Sequence, residues 1–150
     1  MQKSIFVIFI MLFTAFPALS ADGMVNIKSA FSVQTTADRM ANILNEKGMV
    51  IFNRIKHSES AAKVGIEIRE TQLLIFGNPK AGGPLMKCKQ SIALDLPQKA
   101  FIWKAHDNQV WISYNDPKYL VKRHDVTGCE KVISKIGNIL KSIVKSASNK

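Results

Sequence analysis

The chain has 150 residues, 47% of them apolar and 21% charged, a balance that excludes disordered, collagen-like and disulfide-dense miniprotein classes. That length fits one ordinary domain with a sizeable core. Twenty-one Lys and Arg against eleven Asp and Glu give a formal charge of +10, which favours acidic partners. The basic residues are dispersed, however, with the densest group at Lys118, Lys122 and Arg123. No basic groove with stacking aromatics or nucleic-acid motif accompanies them, so nucleic acid is not expected as a partner.

The first twenty residues read as a cleavable signal peptide. Lys3 supplies a positive start, residues 5–16 are apolar except for Thr14, and Pro17 breaks the run. Ala18-Leu19-Ser20 before Ala21 places small residues where a signal peptidase cuts. The apolar run is shorter than the ~20 residues that span a bilayer, so no stable membrane span is expected after cleavage. A periplasmic or secreted location follows, with one domain over residues 21–150. Its outermost residues, 21–23 and 148–150, are expected to be loose ends.

Along the mature chain, residues 24–31 alternate as a strand through Val25, Ile27 and Ser29. A helix follows, with Thr35 as N-cap, a stripe of Ala37, Met40, Ala41 and Leu44, and Gly48 as the stop. Residues 49–55 are almost wholly apolar, the pattern of a central strand. A short helix over 58–64 is expected between a Ser58 cap and Gly65. Ile66 and Ile68 then alternate with Glu67 and Arg69, and residues 73–76 read as a buried strand closed by Gly77-Asn78-Pro79. A short helix is expected over 81–90 after a Gly82-Gly83-Pro84 turn, then an extended run through Ile92, Leu94 and Leu96.

Residues 101–105 and 110–114 form a hairpin pattern around Asp107-Asn108. Asp116 and Pro117 suit the cap and first position of a helix. Thr127 and Glu130 read as a capping box for a final helix whose apolar stripe is Val132, Ile133, Ile136, Leu140, Ile143 and Val144. The interleaving predicts an α+β fold: a mixed sheet of about five strands with helices packed against it.

Two cysteines, Cys88 and Cys129, lie in the mature chain. In an oxidising compartment an even count suggests one disulfide. Free buried thiols, or a soft-metal or redox site completed by His124, are the alternatives. There is no CxxC, and His57, His106 and His124 show no metal-ligand spacing. Accordingly no metal and no cofactor is expected.

Residues 63–69, 74–82, 84–86, 94–97 and 110–117 carry longer strings, among them Leu74-Ile75-Phe76-Gly77-Asn78-Pro79-Lys80-Ala81-Gly82 and Val110-Trp111-Ile112-Ser113-Tyr114-Asn115-Asp116-Pro117. In these strings the chain resembles the bacterial domain of unknown function family number 302. The resemblance implies a small α+β domain, often exported and dimeric, and it implies no reaction.

Phe76 to Pro84 is the most distinctive stretch. Read as a loop, its glycines would let backbone N–H groups approach an anion, with Lys80 adding charge. It lacks the phosphate-loop pattern. Asn78, Lys80, Gly82 and Gly83, with Glu67, are therefore the candidate residues for a small or anionic ligand. An enzyme of unrecognised type would draw on residues 76–86 with Glu67, Asp95 or Asp116. No serine, histidine and acid can be combined from spacing alone, so a non-enzymatic domain that binds a small ligand or a protein partner, as a homodimer, is the expectation.

Overall fold

A computed structural model describes residues 23–150; the leader expected at residues 1–20 lies outside the described residues. The elements run β1 (Met24–Ser29), α1 (Val33–Glu46), β2 (Val50–Lys56), α2 (His57–Ala62), β3 (Thr71–Gly77) and α3 (Pro79–Cys88). A 3-10 turn (Gln90–Leu94) then leads to β4 (Gln98–Lys104), β5 (Val110–Asn115), α4 (Pro117–His124) and α5 (Glu130–Ser148).

The strands form one sheet in the order β1-β5-β4-β3-β2. The α+β class and the five strands match expectation, but every pairing is antiparallel, so the sheet is not mixed. Interleaved helices suggested parallel crossovers. Here α3 and the 3-10 turn instead bring the chain back to the neighbouring antiparallel position, and α1 carries it from one edge of the sheet to the other. β2 is thereby an edge strand and not a central one. A bulge between Ile51 and Asn53 turns Phe52 outward, leaving it 52% exposed.

The core lies between the sheet and the pair α1 and α5. Met40 and Leu44 from α1 meet Leu74, Phe76, Ile102 and Ile112 from the sheet, and Leu140, Ile143 and Val144 from α5. All of these positions are period-matched: every second strand residue, and every third or fourth helix residue. A smaller cluster of Leu85, Ile92, Leu120, Val126, Cys129 and Ile133 packs beneath α3, α4 and the start of α5.

Caps set the helix limits, and three differ from expectation. Ser32, not Thr35, caps α1 by accepting from Thr35 N at 3.1 Å, so the helix starts early enough to bury Val33. Gly48 does stop it, at φ +65°, with its own N–H donating to the Asn45 carbonyl and that of Met49 to the Leu44 carbonyl. Ser58 lies inside α2, where its hydroxyl accepts from Thr71 N. The Thr127 box does not form. Gly128, at φ +77°, turns the chain so that Cys129 is the N-cap, and the Glu130 carboxylate accepts from Gly128 N at 2.9 Å.

The segment through Ile92 and Leu94 is a 3-10 turn instead of an extended run, burying Ile92 and leaving Leu94 74% exposed. Neither described end is loose. Gly23 O accepts from Asp116 N at 2.8 Å, and Ser148 O accepts from Ala30 N at 2.9 Å. The Arg39 guanidinium donates to the carbonyls of Ser146, Ala147 and Asn149.

Arg54 links the sheet to α1, donating to Asp38 Oδ1 at 2.6 Å and to Gln72 Oε1 at 2.8 Å. The guanidinium holds the Asp38 carboxyl below its ordinary value of 3.8. A carboxyl depressed by folding binds its proton more readily in the unfolded chain. Its contribution is therefore present above the ordinary value and is lost as pH falls through the folded one. Asp38 is half exposed, so Asp38→Asn should cost no more than about 1 kcal/mol at neutral pH and flatten the acid limb of the stability curve below about pH 4. Urea midpoints across pH check this.

Candidate functional site

β3 leaves the sheet at Gly77, and Asn78 caps the helix that follows. Its side chain accepts from Lys80 N at 2.9 Å, and its carbonyl accepts from Ala81 N at 2.8 Å and Gly82 N at 2.9 Å. The stretch read as a loop is thus the first turns of α3, with Gly82, Gly83 and Pro84 inside the helix. The N–H groups of residues 80–82 are already bonded within the cap, so they form no anion-binding nest.

What this turn builds is an apolar pocket of about 270 Å³ at the end of the sheet. Met49, Phe76, Leu96, Ile136, Ile139 and Leu140 form its walls, and the exposed side chains of Phe52 and Met86 also line it. Among the described residues, the polar side chains that line it are Asn78 and Gln98, and none that line it is charged. Gly82 lines it too. A Cβ there would meet only Leu96 Cδ1, at 3.8 Å, so the missing side chain leaves open space and not a tight contact. The volume is near the lower end of the range for small-ligand pockets.

A wider depression adjoins this pocket and shares Met49, Asn78, Ala81, Ile136 and Ile139 with it. Lys47, Lys80, Lys131 and Lys135 line it, all exposed, together with Glu130. Glu130 titrates below its ordinary value because its carboxylate is held by the backbone N–H groups of Glu130 and Gly128.

Of the expected ligand residues, Asn78, Lys80 and Gly82 come together here. Gly83 lines neither opening, and a Cβ there would meet nothing within 4 Å. Glu67 lies in the irregular, exposed segment between α2 and β3 and lines neither. It does not pair with Arg69, whose guanidinium instead reaches His106 Nδ1 at 3.0 Å and the Lys104 carbonyl.

The other candidate acids are engaged elsewhere. Asp116 caps α4 by accepting from Lys118 N at 2.9 Å. Its charge also helps raise the pKa of neighbouring Tyr114, after the larger effect of that residue's burial. Asp95 accepts from Arg123 Nη1 at 3.1 Å, and its other oxygen lies 2.5 Å from His124 Nε2. His124 is buried, and its Nδ1 lies 3.2 Å from Ser91 Oγ. Spacing gave no hint of this serine, histidine and acid contact, because the 3-10 turn and α4 are brought together only by the smaller core cluster. None of the three lines the pocket.

Cys88, at the end of α3, and Cys129, the N-cap of α5, form a disulfide with Cα atoms 6.5 Å apart. The sulfurs bond to each other, and His124 faces Asp95 and Ser91, so the three do not form the alternative soft-metal set. Among the described residues no group of three or more His, Cys, Asp or Glu could hold a metal ion. None of the described helices is long and apolar enough to cross a membrane.

Phe52, Met49 and Met86 line the pocket although no motif marks them as site residues. The available signal was the apolar run over residues 49–55, which fails to alternate because the bulge adds Phe52.

The architecture defines a class: a small α+β domain built on one five-strand antiparallel sheet, with its main helices on one face. The chain belongs to the family described as Domain of unknown function DUF302, which matches residues 25–143. Its fold is similar to that of an uncharacterized conserved DUF302 protein from Bacillus stearothermophilus. The TM-score is 0.76 at 15% identity, covering 85% of this chain and 99% of that one.

In sequence it is 39% identical over 104 residues to a protein named fluoride-specific ion channel FluC 1 of Brucella suis biovar 1 (strain 1330). The same identity and length hold for the FluC 1 protein of Brucella abortus biovar 1 (strain 9-941). These matches cover 69% of this chain, but 41% and 38% of the relatives, so the chain spans about two-fifths of their length.

Proposed function

We propose that this is an exported, non-enzymatic binding domain that takes a small, mainly apolar ligand in the pocket between β3, α3 and α5. The observation that carries the reading is a concave site with apolar walls and two polar side chains, Asn78 and Gln98, the usual make-up of a small-molecule site. The candidate acids Glu67, Asp95 and Asp116 do not line it, which favours binding over catalysis. Gly82→Leu tests the site, since a side chain there enters open space beside Leu96. With about 0.8 kcal/mol per excluded methylene contact, affinity for the neutral fluorophore N-phenyl-1-naphthylamine should fall about tenfold. Melting temperature should stay the same or rise, because the helix gains a better former. Unchanged fluorophore affinity in the variant would remove this reading.

Export is supported by the leader pattern and by the disulfide, which suits a periplasmic or secreted address. The first residue of the mature protein, read by intact mass, checks it: the expected start is Ala21.

Homodimerisation is supported by the sheet face opposite α1 and α5. Register places Leu73 beside Phe101, Thr71 beside Trp103, and Trp103 beside Trp111 on that face. All are half-buried, and Phe101 stacks on Trp103 at 5.8 Å. Val64, Ile66 and Ile68, in the segment leading into β3, are exposed at 72%, 56% and 47%. An apolar surface of this kind marks an interface, and a self-complementary one gives a two-fold pair. Leu73→Lys should weaken dimerisation at least about tenfold by sedimentation, since it leaves a charge at a desolvated contact.

A further inference from the structure

We infer that the pocket's ligand is an amphipathic monoanion, a free medium-chain fatty carboxylate, with its chain in the apolar pocket and its carboxylate among Lys47, Lys80, Lys131 and Lys135. This deepens the binding reading above and rests on it.

Three features converge. First, the pocket and the lysine-lined depression adjoin, with Met49, Asn78, Ala81, Ile136 and Ile139 lining both. A ligand longer than the pocket would bring its head to the lysines past these shared residues.

Second, polarity is split between them. No charged side chain lines the pocket, whereas four lysines and one carboxylate line the depression. That carboxylate, Glu130, is turned back onto the Gly128 N–H. A charged head would be desolvated without a partner inside the pocket, but it meets a positive field at the mouth.

Third, the cations there are lysines, with no arginine among the lining residues. Ammonium groups on flexible stems act as point charges and suit a compact single charge, whereas guanidinium forks favour bidentate partners. The helix cap uses the N–H groups of residues 80–82, so side chains, and not a backbone nest, must hold the anion. Lys80 lies in the first turn of α3, two residues before Gly82, whose missing side chain opens the pocket. The first turn of α3 therefore places a charge on the depression and a space on the pocket, on different sides of the helix.

The lysines are solvent-exposed, so the charge contribution is modest and is screened by salt. Calorimetric titration of the disulfide-bonded protein with decanoate and with decanol separates the two parts. At low ionic strength decanoate should bind about tenfold more tightly than decanol, and at high salt the difference should shrink towards twofold. In a Lys80→Gln, Lys135→Gln double variant decanoate should weaken about fivefold to tenfold while decanol is unchanged. Gly82→Leu should weaken both. Equal binding of the two ligands, or a decanoate affinity indifferent to salt and to the lysine changes, would overturn the carboxylate assignment and leave the apolar pocket standing. If neither ligand binds at millimolar concentration, the pocket reading itself fails and this one with it.

Discussion

Replacing Cys88 and Cys129 together by serine should lower stability by about 4 kcal/mol, the largest loss expected from any change outside the main core. The bridge joins residues 41 apart in sequence. Closing a loop of that length removes about 4 kcal/mol of chain entropy from the unfolded state in the loop-closure view. The bridge ties the end of α3 to the start of α5, and Cys129 is itself a member of the smaller apolar cluster with Leu85, Ile92 and Leu120. That cluster has few residues with which to hold three helices and a 3-10 turn together. Two signatures should appear in urea unfolding. The midpoint should drop, and the slope should rise because the unlinked unfolded chain exposes more surface. Hydrogen exchange should accelerate first in α3 and α4. A reduced protein that unfolds at the same midpoint as the oxidised one would show that the bridge does not stabilise this fold.

Phe76→Ala should cost about 3–5 kcal/mol, the range for emptying a buried aromatic position. The ring is fully buried on β3, in the main core with Met40, Leu44 and Leu140. It also forms part of the pocket wall. Truncation therefore does two things with different readouts. It removes core contacts, which lowers the urea midpoint, and it joins the vacated volume to the pocket, which should let bulkier apolar ligands bind. Leu94→Ala is the control. Leu94 is 74% exposed, so its change should stay within about 0.5 kcal/mol. Equal effects of the two substitutions would mean that Phe76 is not a core residue in solution.

Much of the fold was legible because single residues carried the signals. The stripe from Val132 to Val144 marked α5, Asp116-Pro117 marked the start of α4, and Gly48 marked the end of α1. The errors arose where a local pattern competes with tertiary placement. The largely apolar run over residues 49–55 reads as a central strand, yet its apolar side chains serve the pocket and a bulged edge. Gly82-Gly83-Pro84 reads as a turn, but Asn78 and Pro79 upstream nucleate a helix that continues through it. Parallel and antiparallel neighbours differ by where α3 returns the chain, and no residue encodes that alone.

The site was partly legible. Asn78 and Lys80 were visible as candidate ligand residues, while the apolar walls come from β2, the 3-10 turn and α5, which are distant in sequence. The meeting of Ser91, Asp95 and His124 was invisible for the same reason.

The pairing of β1 with β5 has a consequence for how the polypeptide is handled before it folds. Met24 to Ser29 find their partners at Asn115 to Val110, so the first strand waits for roughly eighty further residues to be made before its ladder can close, a long-range requirement that slows folding. Until then β1 has no ladder to join. The sheet therefore closes only once the chain has been made as far as β5.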